Sequence, residues 1–133
     1  MTTTLGYTIF YVQDVRAALK FFSDAFDLSI RMHTPENDYG ELDTGQTILA
    51  FVSLELANAN LADAGGFTPP GPLPAPASIT LVTDDVQAMV RSGIEAGAKA
   101  YVDPVEKPWG QTVSYILGPD NILIEVATPI PSN

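Results

Sequence analysis

The sequence predicts an α+β fold of two βαβββ modules in one domain spanning residues 1–133. Three observations predict it. The run "GYTIFYVQDV" has a faint counterpart seventy-one positions later in "ASITLVTDDV", with Tyr7 and Ser78 in register at the two heads. Each run ends in Asp-Val and leads into a stretch with helical apolar spacing. Between the copies lies "NANLADAGGFTPPGPLPAPA", whose five prolines and three glycines can continue neither a helix nor a central strand. The boundaries that follow are a first module over 5–56, a linker over 57–76 and a second module over 77–129. Within the linker, Phe67 and Leu73 are the residues that could pack down as a lid.

Residues 7–12, Tyr-Thr-Ile-Phe-Tyr-Val, are β-branched and aromatic, which suits a strand. Asp14 then fits a helix N-cap, because its carboxylate can accept a free backbone N–H at the positive end of the helix dipole. Val15, Ala18, Leu19, Phe22 and Phe26 recur at spacings of three and four and make one apolar face. "DYGELDTGQTILAFVSLE" reads as a hairpin turning at Thr44-Gly45-Gln46, with its second strand over 47–53. In the second half, residues 79–82 form a strand and Asp85 takes the place of Asp14. Val86, Met89, Val90 and Ile94 make the helix stripe, and Gly97 is its stop. "KAYVDPVEKPWGQ" reads as a short strand and loop. "TVSYILGPDNILIEVAT" reads as a hairpin turning at Gly118-Pro119-Asp120-Asn121.

Composition narrows the function classes. Hydrophobic residues make up 46% of the chain, and a chain of this size buries about two thirds of its unfolded surface. No apolar run approaches the roughly 20 residues of a membrane helix. "MTTTLGY" has neither the basic nor the apolar region of a secretory signal, so a cytoplasmic location is expected. The absence of cysteine rules out disulfides, thiolate metal sites and cysteine nucleophiles. Net charge is −10 with six Lys and Arg and a pI near 4.1. Nucleic-acid binding needs a basic footprint that is missing here. The acidic balance serves solubility first, and it also attracts cations.

These elements resemble the vicinal oxygen chelate superfamily, which includes glyoxalase I, extradiol dioxygenases, fosfomycin-resistance enzymes and bleomycin-resistance proteins. The resemblance rests on "YVQDVRAALKFFSDAFDL", "YGELDTGQTILAF", "KPWGQTVSYILGPDNILIEV" and the paired Asp-Val starts. It implies that two modules set curved mixed sheets side by side as a cup, within one chain or exchanged between chains. It also implies a homodimer. Metal-dependent relatives carry His, Gln or Glu at the head of the first strand and near the end of the hairpin in each module. Carried over to this sequence, those positions are Tyr7, Phe51, Ser78 and Glu125. Only Glu125 is an ordinary ligand for a divalent ion. Phe51 has no lone pair, a neutral Ser78 hydroxyl is a poor donor, and Tyr7 would have to lose a proton near pH 10. A slip of one residue brings in Thr8, Ala50, Val52, Ile79, Ile124 and Val126, which serve no better. The single histidine, His33, falls at a loop or strand end and reads as a surface or capping residue.

No metal and no cofactor are therefore expected. The residues describe a cup lined by Tyr7, Phe51, Tyr115 and Trp109, with Ser78 and Glu125 as polar points. Tyr7 and Phe51 could equally fill a shrunken cup as core, and Trp109 could anchor a loop. Glu125 in "ILIEVAT" needs hydrogen bonds to be tolerated beside a cavity. The resulting expectation is a non-catalytic protein that binds or sequesters a small antibiotic-like molecule, cationic or aromatic. Two alternatives stay open: a metal-dependent lyase, isomerase or dioxygenase, and an accessory interaction protein with a closed cup.

Overall fold

The computed structural model describes residues 1–131. The chain divides into two compact units. One comprises residues 1–23 and 27–69; the other comprises residues 70 onward together with 24–26.

The first unit contains β1 (Tyr7–Val12), α1 (Val15–Phe26), β2 (Ser29–His33), β3 (Tyr39–Asp43) and β4 (Ile48–Ser53). They form a four-stranded sheet in the order β1-β4-β3-β2. β1 runs parallel to β4, and the other neighbours are antiparallel. α1 starts as its sequence predicts, with the Asp14 side chain accepting from the Ala17 N–H. Val15, Ala18, Leu19 and Phe22 are buried as one stripe. The Phe22 ring packs 5.3 Å from that of Phe51 on β4. β3 alternates strictly. Gly40 and Leu42 turn toward α1, which approaches so closely that a Cβ on Gly40 would lie 2.5 Å from Leu19 Cδ1. Tyr39, Glu41 and Asp43 point the other way.

Residues 57–60, assigned to the linker above, instead complete a short helix, α2 (Leu54–Asn60), followed by a 3₁₀ turn at Ala62–Ala64. The Ser53 hydroxyl caps α2 by accepting from the Leu56 N–H, and Ala57 is buried. This helix starts directly from the end of β4, so its cap residue reads in sequence as strand. The prolines beyond it hold an irregular path.

The second unit contains β5 (Ile79–Val82), α3 (Val86–Glu95), β6 (Lys99–Glu106), β7 (Thr112–Leu117) and β8 (Leu123–Ala127). The sheet order β5-β8-β7-β6 repeats that of the first unit, again with a parallel pair, β5 and β8. Asp85 caps α3 through the Ala88 N–H. Gly97 ends it at φ +117°, a backbone angle that disfavours a side chain. β6 is longer than the short strand expected. It crosses two register shifts on its way along β7, and the buried Ser114 hydroxyl donates to the Val102 carbonyl within that irregular stretch. The hairpin turn falls at 118–121 as predicted, with Asp120 and Asn121 both in the left-handed region. Among the described residues no helix is long and apolar enough to cross a membrane.

Candidate functional site

In each sheet one face carries the helix. The opposite face carries the polar and aromatic residues that chemistry could use.

On the first sheet that face holds Tyr7, Ile9 and Tyr11 from β1, Ala50 from β4, and Tyr39 and Glu41 from β3. Glu41 is only 8% exposed. It is tolerated because both oxygens are engaged: Tyr39 Oη donates to Oε2 at 2.6 Å, and Arg31 Nε lies 3.3 Å from Oε1. Arg31 sits where β2 slips register between Ile30 and Met32. Burial, and then the bond given to Glu41, hold the Tyr39 phenol well above its ordinary range, so it stays a donor. Phe67, from the segment after α2, stacks on Tyr11 with centroids 4.9 Å apart and planes within 15°. One of the two lid candidates therefore does pack down, while Leu73 is exposed.

On the second sheet the centre is Glu125 of β8. Tyr115 stands directly opposite it on β7 and Thr80 opposite it on β5. Tyr115 Oη donates to Oε2 at 2.8 Å, and Thr80 Oγ1 donates to Oε1 at 2.6 Å. The bond to Glu125, and then burial, raise the Tyr115 phenol above its usual value.

Two of the six residues singled out from sequence, Tyr115 and Glu125, meet in a direct hydrogen bond. Tyr7 lies on the open face of its sheet and is 54% exposed. Phe51 requires a correction: it is fully buried on the helix side, against Phe22, and lines no face that a ligand could reach within its own unit. The ladder explains why. Ile9 and Thr80 are seventy-one positions apart, and they pair with Ala50 and Glu125 respectively. The true counterpart of Glu125 is Ala50, one residue earlier than the match made from sequence, and successive strand residues face opposite sides. Ser78 is exposed just before β5, and the hydroxyl that reaches Glu125 is that of Thr80. Trp109 is exposed in the turn between β6 and β7, where its indole N–H donates to Gln111 Oε1 at 2.9 Å.

Sequence reasoning missed Tyr39, Glu41, Arg31 and Thr80. The alternation in "YGELD" carried a signal, since it puts Tyr39 and Glu41 on one face and Gly40 and Leu42 on the other. His33 behaves as a capping residue. Its Nε2 lies 2.7 Å from Asn37 Oδ1, which also accepts from the Arg16 N–H, while Asn37 Nδ2 donates to Asp14. Because Asn37 Oδ1 can only accept, the proton of that bond sits on His33 Nε2.

The resemblance raises the question of a divalent ion, and the residues do not fit one. Ala50 offers a methyl group where the fold repeats the Glu125 position. Glu125 already receives two hydroxyl donors. Among the described residues no three His, Asp or Glu side chains come together as a ligand set.

Residues 4–126 match the family model described as the Glyoxalase/Bleomycin resistance protein/Dioxygenase superfamily. The chain belongs to that superfamily. Solved structures share its fold. One is a glyoxalase/bleomycin resistance protein/dioxygenase family enzyme from Burkholderia phytofirmans, 20% identical with a TM-score of 0.78, covering 95% of this chain and 98% of its own. Another is a lactoylglutathione lyase from Agrobacterium tumefaciens, 18% identical with a TM-score of 0.71 and coverage of 96% and 95%. A third is a fosfomycin resistance protein from Mesorhizobium loti, 14% identical with a TM-score of 0.68 and coverage of 97% and 94%. No functionally curated protein matches the sequence. At these identities the structural likeness speaks for the fold alone.

Proposed function

We propose that this protein binds a small, antibiotic-like molecule of aromatic or cationic character without altering it. The observation that carries the reading is Ala50 standing where the repeat calls for a partner to Glu125. The open face of each sheet offers rings and a hydrogen-bonded carboxylate, which suit holding a guest without supplying a Lewis acid. Tyr7, exposed on the first of these faces, supplies aromatic surface for a flat ring. Binding would be read as a rise in melting temperature across a panel of aromatic antibiotics, with mass spectrometry showing the bound compound recovered unchanged. Silence across the panel from a folded protein would defeat the reading. So would stoichiometric nickel, zinc, manganese or iron that survives dialysis and is lost in Glu125→Ala.

The same proposal includes a homodimer working in the cytoplasm. Edge strand β6 leaves Tyr101, Val102 and Val105 exposed, and an uncovered apolar edge favours association. Sedimentation equilibrium of the wild type and Val105→Lys tests it; two monomeric proteins would refute it.

A further inference from the structure

Resting on the binding reading above, we infer that Thr80, Glu125 and Tyr115 form a subsite for a protonated nitrogen, an ammonium or amidinium group on the ligand. Every hydroxyl hydrogen in the cluster is already committed to the carboxylate. A hydroxyl has one hydrogen to give and two lone pairs to offer, and an ionised carboxylate only accepts. Tyr115 spends its hydrogen on Glu125 Oε2 and Thr80 spends its own on Oε1. What remains facing outward is acceptors alone: the free lone pairs of two hydroxyls and of a carboxylate. A ligand that meets this cluster must donate.

The hydroxyls are held in that sense. Each gives a charge-assisted bond, roughly twice as strong as a neutral one. The raised Tyr115 phenol keeps its proton, so the pattern does not invert near neutral pH. An anionic ligand would have to break both bonds and then face Glu125 itself.

Charge points the same way. Glu41 on the first sheet has Arg31 as counter-ion. Among the described residues no lysine, arginine or histidine pairs with Glu125. Its charge is half-buried, balanced by neutral donors only, in a chain of net charge −10. Partial removal from water strengthens attraction to a cation that fits.

The test titrates the protein, followed by NMR, with benzylammonium, benzyl alcohol and benzoate, which share a ring and differ in charge. Wild type should bind benzylammonium about tenfold more tightly than benzyl alcohol, as a charge-assisted contact would require, with benzoate weakest. Glu125→Gln should abolish that preference. Glu55→Gln, which removes an equal charge from the exposed face of α2, should preserve it. Intermolecular NOEs from benzylammonium to the Thr80 methyl and Tyr115 ring protons of the wild type should locate the site even if Glu125→Gln fails to fold. Equal binding of the alcohol and the ammonium, a preference that persists in Glu125→Gln, equal losses in both variants, or NOEs only to other residues would each overturn the subsite. Equal binding of the two would leave the binding function standing. No binding by any of the three, nor by the antibiotic panel, would remove both.

Discussion

The two modules follow the same path through space and fill it differently. With Asp14 matched to Asp85, α1 places Phe22 where α3 places Gly93. The strand ladders likewise match Phe51 to Val126 and Gly40 to Ser114. In the first module the bulk comes from two rings, and the sheet makes room with a glycine. In the second the helix makes room, and a Cβ on Gly93 would lie 2.7 Å from Ile116 Cδ1. A repeated fold thus fixes the volume between helix and sheet and leaves free which side fills it. The largest expected effect tests the ring-filled core. Phe51→Ala should lower unfolding free energy in urea by about 3–5 kcal/mol, the usual cost of emptying an aromatic site, and Val126→Ala by clearly less. If Phe51→Ala keeps wild-type stability while losing ligand affinity, Phe51 lines a pocket after all and the assigned faces are wrong.

The glycines sharpen the comparison at smaller scale. Gly40→Ala drives a methyl into Leu19 and Val15, both buried, and should cost about 1–3 kcal/mol as overpacking does. Gly93→Ala presses on the far end of the Ile116 side chain and meets the Phe26 ring at ordinary contact distance, and alanine is better than glycine in a helix by about 1 kcal/mol. It should therefore cost less than Gly40→Ala in the same urea titration. The reverse order would mean that α1 can retreat from its sheet and α3 cannot.

The polar faces differ in the same manner. Each has a carboxylate held by a tyrosine, but the first carries it on β3 and the second on β8. Ladder register makes Glu41 the counterpart of Tyr115 and Ala50 the counterpart of Glu125. This separates what could be read in the sequence from what could not. The βαβββ order of each module, both Asp caps and the turn at 118–121 were legible because each depends on local spacing. Glu125 and Tyr115 were legible as a polar break and a ring in apolar runs. Their bond to each other was not, because cross-strand register is set by the paired strands together. Phe51 was misplaced for the same reason, since an error of one residue turns a core ring into a lining one. Arg31 reaches Glu41 from a bulged stretch, where simple alternation fails. α2 was hidden because a seven-residue helix has too few turns for a periodic signal.

The smallest expected effect concerns the two helix caps. The Asp85 carboxylate accepts from the Ala88 N–H. Asp14 accepts from the Ala17 N–H and also from Asn37, which ties the loop after β2 to the start of α1. Losing a cap costs about 0.5–2 kcal/mol, so Asp14→Ala should be the more damaging of the two alanine variants. The Asn37 amide, and then the Ala17 N–H, hold the Asp14 carboxyl below its ordinary 3.8. Because the folded value is depressed, this stabilisation is intact above the unfolded value and fades as pH drops toward the folded one. Asn37→Gly keeps the left-handed backbone, at φ +58° in the wild type, and removes the amide. The gap in urea midpoint between wild type and Asn37→Gly should accordingly narrow as the pH is lowered from about 5 to about 2. A gap that holds constant over that range would show that Asn37 does not act through the Asp14 carboxylate but through its bonds to the Arg16 N–H and His33, and the first cap would then be no stronger in kind than the second.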